Sequence, residues 1–112
     1  FQEEFDSIDH RATHLVMFDE SLPVAVCRYF WNHEKNSYAL GRLAVLKDYR
    51  GMDLGSRMLE EAEKEIRSQG GTAIYLSSQV RALAFYEKHG FAKVGEIYYE
   101  EYCPHVGMQK TL

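Results

Sequence analysis

Three extended apolar segments, a long amphipathic helix, and then a strand, a second helix and two closing strands predict an α/β fold, a mixed central sheet flanked by helices on its faces. The opening strands are joined by short polar turns, which argues for antiparallel pairing. The helices between later strands are the crossovers that parallel pairing needs. Leu15-Val16-Met17-Phe18 is short and apolar and ends at the turn formers Asp19-Glu20-Ser21. Pro23 then opens Val24 to Trp31, rich in β-branched and aromatic residues, as the second strand of a hairpin. The polar run Asn32 to Ser37 leads into a third strand, Tyr38 to Leu46.

Leu54, Met58, Leu59, Ala62 and Ile66 fall on one face of a helix spanning Leu54 to Gln69, with Glu60, Glu61, Glu63, Lys64 and Arg67 assigned to the solvated face. Gly70-Gly71 ends it. Thr72 to Leu76 reads as a short buried strand, and Ala82 to His89 as a second helix closed by Gly90. Phe91 to Val94 begins a strand that the aromatic-rich Glu96 to Tyr102 continues, and Val106 to Lys110 is the last. The predicted order is βββ-α-β-α-ββ, without internal repeats, linkers or low-complexity segments.

A chain of 112 residues with 46% apolar content has the size and core of one domain. A net charge of −4, a pI near 5.7 and no basic stripe argue against a nucleic-acid partner. Cys27 and Cys103 form neither C-x-x-C nor a Cys/His metal spacing, so no metal is expected. Cys27, inside Val24-Ala25-Val26-Cys27, reads as a buried thiol that suits a reducing compartment. Neither a long apolar run nor a signal-like segment is present, so no membrane association is expected and the cytoplasm is the expected location.

The stretch most informative about function is Tyr49-Arg50-Gly51-Met52-Asp53-Leu54-Gly55-Ser56-Arg57-Met58-Leu59. It sets a glycine-containing turn against a helix start, just after the strand-like Leu43-Ala44-Val45-Leu46. The first N–H groups of a helix have no partner within it, and small residues allow close approach, which is the geometry of an anion site. The spacings G-x-x-x-x-G-K-[ST] and G-x-G-x-x-G are both absent, so a different pyrophosphate cradle is required.

Arg50-Gly51-Met52-Asp53-Leu54-Gly55 resembles the [QR]-x-x-G-x-[GA] signature of the GNAT acyltransferases, with Asp53 where the family usually has its first glycine. Two roles are open for Asp53: a like-charge neighbour of the diphosphate, or an N-cap for the helix that points away from it. A second cluster, Ala84-Phe85-Tyr86-Glu87-Lys88-His89-Gly90-Phe91, resembles the GNAT segment A-x-x-F-Y-x-K-x-G-F. The tail Cys103-Pro104-His105-Val106-Gly107-Met108 is similar to the I-P-H-[IV]-x-M ending of the ElaA-like branch, and Glu3-Glu4-Phe5-Asp6 to His14 looks like a loop of that branch. The resemblance spans the chain and implies the GNAT acyl-CoA N-acyltransferase fold, with the family's first strand and much of its first helical region falling before Phe1. The expectation is therefore a single, N-terminally incomplete domain, residues 1–112.

The resemblance further implies transfer of an acetyl group from acetyl-CoA to a primary amine by direct attack. Backbone groups of Leu43, Ala44 and Val45 would hold the pantetheine and polarise the acetyl carbonyl. Arg50, Gly51, Met52, Asp53, Leu54, Gly55 and Ser56 would form the pyrophosphate cradle, with Phe85 and Lys88 beside it. Ser77, Ser78 and Gln79 follow a strand where many relatives carry Asn, so Ser77 and Gln79 are expected near the thioester. Tyr86 matches the tyrosine that protonates the departing thiolate. The general base is open among His105, Glu4, Asp6 and Glu101, with His105 favoured, since Gly41 stands where a glutamate is typical. A homodimer is allowed on family grounds. The alternative is a catalytically weak CoA-binding regulatory module, motivated by Asp53 and the missing carboxylate.

Overall fold

The structure, a computed structural model, describes residues 10–112. β1 (Thr13–Asp19), β2 (Leu22–Asn32) and β3 (Ser37–Val45) form an antiparallel meander, followed by α1 (Leu54–Ser68), β4 (Ala73–Gln79), α2 (Leu83–Lys88), β5 (Ala92–Glu100) and β6 (Cys103–Thr111). The six strands make one sheet in the order β1-β2-β3-β4-β6-β5. The α/β expectation and the order βββ-α-β-α-ββ both hold. The α1 crossover makes β3 and β4 parallel, and every other neighbouring pair is antiparallel.

One strand runs longer than the sequence reading gives it. β4 runs on to Gln79 rather than stopping at Leu76, because β6 pairs with it along its whole length, from Ala73–Thr111 to Gln79–His105. β5 is the single strand that the sequence reading gives, ending at Glu100. A bulge carried by Gly95, with φ +81°, absorbs the interruption between Val94 and Tyr98.

The core lies between α1 and one face of the sheet, where Met58, Leu59, Ala62 and Ile66 meet Ala25, Cys27, Tyr29, Leu40, Ile74, Leu76 and Met108. Burial pushes the Cys27 thiol up to about 11, with Glu65 adding to the effect, so it stays protonated and inert at neutral pH. Tyr29 ties α1 to the sheet: its hydroxyl donates to Glu65 at 2.8 Å and accepts from Gln69 at 2.8 Å.

Glu63 corrects the helical-face assignment. It is 5% exposed rather than solvated, with its carboxylate 2.9 Å from Lys110 Nζ of β6 and 3.9 Å from Arg67. A simple apolar-versus-charged helical wheel cannot anticipate this, because the partner lies 47 residues away. Removing one member of a largely buried pair strands the other. Glu63→Ala is therefore expected to lower stability by about 3 kcal/mol, and the double change Glu63→Leu/Lys110→Met to recover most of that loss, both read by urea denaturation.

Candidate active site

β3 and β4 pair only at Tyr38–Ile74 and Ala39–Tyr75, then diverge. From Leu40 onward β3 keeps β2 as its ladder partner and leaves its other edge open. On the closed side Leu46 N–H donates to the Val24 carbonyl at 2.9 Å. Strand alternation then turns the backbone groups of Ala44 toward β2 and those of Leu43 and Val45 toward the split. The expectation that all three residues offer polar groups there thus narrows to Leu43 and Val45. The Ala44 groups are committed to the sheet.

At the end of β3 a tight turn, Lys47–Tyr49, leads to Arg50, whose Nε donates to the Val45 carbonyl at 3.1 Å. The chain passes through Gly51, with φ +81°, and Asp53, with φ +64°, and enters α1 at Leu54. Of the two roles open for Asp53, the N-cap is the one that fails. Asp53 holds the cap position, but its left-handed backbone is not that of a capping residue and its side chain makes no cap hydrogen bond. Its carbonyl accepts from Arg57 N–H at 3.1 Å. The left-handed conformation also gives a physical reason for glycine at this point of the motif.

The turn encloses one side of a cavity of about 260 Å³ lined by Val45, Tyr49, Arg50, Gly51, Asp53, Leu54, Gly55, Ser56, Phe85 and Lys88. An adjoining cavity of about 210 Å³ runs along the ends of β2 and β3 and shares Val45 and Arg50 with it, Ala44 being on its wall. The expected cradle residues converge, apart from Met52, which is 58% exposed and outside the lining. The Gly55 position faces inward: a Cβ there would lie 3.5 Å from Phe85 and 3.9 Å from Val45. Free N–H groups of the α1 start, Arg50 and Lys88 supply positive character, which Asp53 opposes. Asp53→Gly is expected to relieve the left-handed backbone, stabilising the fold by about 1 kcal/mol, and to tighten anion binding; thermal unfolding and calorimetric titration read the two effects.

Sequence reasoning missed two residues here. Tyr49 lines the cavity and is anchored by its hydroxyl to Asp19 at 2.6 Å. His89, at the end of α2, brings Nε2 to 2.8 Å from Ser56 Oγ and packs its ring 5.0 Å from Phe85. Phe85 and His89 are four apart on one helix, so the spacing already placed them on a common face.

Tyr86 is half-buried among Phe85 and Phe91, with ring centroids 5.0 and 5.8 Å away. Burial raises its phenol above the usual value of 10, and Cys27 adds to the shift. Cys27 lies at the β2–β3 bulge, opposite Arg42 and Leu43. A phenol in this state is protonated at every physiological pH.

Across the split, Gln79 of β4 is level with His105 of β6. Gln79 Oε1 is occupied by Arg81 Nε at 2.7 Å, and the Ser77 hydroxyl by the Tyr98 hydroxyl. Ser78 is buried and bonds to the Gln79 carbonyl at 2.8 Å. His105 stacks on Tyr98 at 6.0 Å, its Nδ1 is 2.9 Å from the Cys103 carbonyl, and its Nε2 is 3.5 Å from Glu100. The carbonyl demands a proton on Nδ1, which leaves Nε2 as the basic nitrogen when the ring is neutral. Glu101 sits with Tyr102 in the exposed β5–β6 turn, both at positive φ. Glu4 and Asp6 lie outside the described residues. Among the described residues, no helix is long and apolar enough to cross a membrane.

The family described as Acetyltransferase (GNAT) domain matches residues 1–112. The uncharacterized N-acetyltransferase YjcF of Bacillus subtilis is 30% identical over 110 residues, covering 97% of this chain and 77% of the relative. Among solved structures, a candidate N-acetyltransferase from Lactobacillus plantarum superposes with a TM-score of 0.90 at 28% identity, covering 98% of this chain and 76% of the other. Escherichia coli ElaA superposes with a TM-score of 0.78 at 25% identity, covering 87% of this chain and 66% of its own.

Proposed function

The chain belongs to the GNAT acetyltransferase family, and from that premise we propose that it moves the acetyl group of acetyl-CoA directly to a primary amine, with the strand split and the α1 turn as its coenzyme site. The observation that carries this reading is the two-pair contact between β3 and β4, which opens the sheet beside the cavity that both sequence motifs line.

The diphosphate rests on the free N–H groups of Gly55 and Ser56, with Arg50 and Lys88 as charges beside it. Leu43 and Val45 lend backbone groups from the open edge of β3 to the pantetheine arm and the acetyl carbonyl. Direct attack needs no enzyme nucleophile, so held geometry and preset dipoles supply most of the rate. The amine nitrogen attacks the acetyl carbon and the carbon–sulfur bond breaks. Tyr86 gives its proton to the departing thiolate, and His105 Nε2 takes the proton lost by the amine, directly or through water.

The acceptor reaches the thioester from the Ser77, Tyr98 and His105 side. Glu100, 3.5 Å from His105 Nε2, favours a cationic amine there. The tail similarity supports a place in the ElaA-like branch. The acidic balance supports a cytoplasmic enzyme that acts without nucleic acid. The position of β5 at the edge of the sheet, among the described residues, supports a homodimer.

The test is thiol release from acetyl-CoA with a panel of primary amines: polyamines, amino sugars, amino acids and peptides. Turnover with at least one amine is expected. Acetyl-CoA binding without turnover across the panel would favour a regulatory module and contradict the reading.

A further inference from the structure

We infer that His89 is a positioning residue for the coenzyme diphosphate, acting through Ser56; this rests on the coenzyme site proposed above. Ser56 is the third residue of α1, 9% exposed, and lines the cavity at the helix start. Its hydroxyl is 2.8 Å from His89 Nε2. His89 does not line the cavity, so it reaches a ligand only by way of that hydroxyl.

A hydroxyl has one proton to give and two lone pairs to receive. If Nε2 is unprotonated, it consumes the Ser56 proton and leaves lone pairs facing the cavity, which repel a phosphate oxygen. If Nε2 carries a hydrogen, it donates to Ser56 Oγ, and the Ser56 proton is released to point at the phosphate. A diphosphate in the cradle therefore selects the His89 form with a proton on Nε2. The imidazole converts a hydroxyl of either sense into a fixed donor, and the added dipole strengthens that donor. Phe85 packs on the ring at 5.0 Å, and the His89 backbone N–H donates to the Tyr86 carbonyl at 3.0 Å, which fixes the chain that carries it. The same short helix thus places Phe85 and Lys88 on the cavity wall and His89 behind Ser56.

The experiment is calorimetric titration of the whole chain with acetyl-CoA in a double-mutant cycle. Ser56→Ala and His89→Phe, the latter keeping the ring contact with Phe85, are each expected to weaken binding about ten-fold, as for a hydrogen bond to a charged group. The double variant should lose no more than Ser56→Ala alone, because His89 acts on the ligand through the Ser56 hydroxyl that this variant already lacks. His89→Gln, which restores an N–H at similar reach, should return affinity to within about three-fold of wild type. Additive losses, full affinity in His89→Phe, or a His89→Gln variant as weak as His89→Phe would overturn the inference while leaving the cradle intact. Absence of wild-type binding would overturn the cradle and the inference together. Should His89→Phe fail to fold, Ser56→Ala and His89→Gln decide the question: a ten-fold loss in the first and near-full affinity in the second are expected, and equal affinities in the two would contradict it.

Discussion

Tyr86→Phe is expected to lower kcat by about 100-fold to 10,000-fold, the range for loss of a positioned proton donor, with the KM for acetyl-CoA nearly unchanged. The ring keeps its packing with Phe85 and Phe91, so the fold is preserved and the lost group is the proton alone. A thiolate expelled without an acid is the poorer leaving group, and the defect appears in the chemical step. The pH dependence follows from the direction of the shift. Burial, then Cys27, raises the phenol above 10. Tyr86 acts in its protonated form, so its contribution is complete below pH 10 and falls only as pH rises through the higher value. The wild-type enzyme should show no alkaline loss below pH 10 traceable to this group. A steep decline near neutrality that disappears in Tyr86→Phe would contradict the assignment. Steady-state rates across pH, measured for both proteins with one accepted amine, give the comparison.

Gly55→Glu carries the second large effect. A Cβ at Gly55 meets Phe85 at 3.5 Å and Val45 at 3.9 Å, ordinary contact distances, so Gly55→Ala is tolerated with a small change in affinity. The glutamate side chain extends from the same point into the cavity and sets a second carboxylate beside Asp53 where the diphosphate rests. Volume exclusion and like-charge repulsion act together, and at about 4 Å in a partly dry site the repulsion alone amounts to several kcal/mol. Affinity for acetyl-CoA should fall at least about 100-fold, with the thermal midpoint little changed because the side chain enters open space. The contrast between alanine and glutamate at one position separates occupation of the cradle from damage to the helix.

Much of the fold was legible because the periodicities are clean. The meander, α1 with its apolar face, and α2 closed by Gly90 all stand within a few residues of their expected bounds. What escaped depends on partners distant in sequence. Gln79 is a strand residue because His105 lies opposite it, and Glu63 is buried because Lys110 comes to it from β6. Residue type left the role of Asp53 open between cap and ligand neighbour, and the left-handed backbone of the turn removes the capping role. Of the proposed site, the two motifs indicated the turn residues that line the cavity and the half-buried Tyr86. The backbone register then singled out Leu43 and Val45, and the helix geometry brought His89 behind Ser56.

The central claim is that the turn from Arg50 to Ser56 holds the diphosphate of acetyl-CoA. Calorimetric titration of the wild-type protein and Gly55→Glu with acetyl-CoA tests it most directly. Micromolar one-to-one binding by the wild type, lost in Gly55→Glu while both proteins unfold at similar temperatures, is the expected result. Equal affinity in the two proteins, or no binding by the wild type, would contradict it.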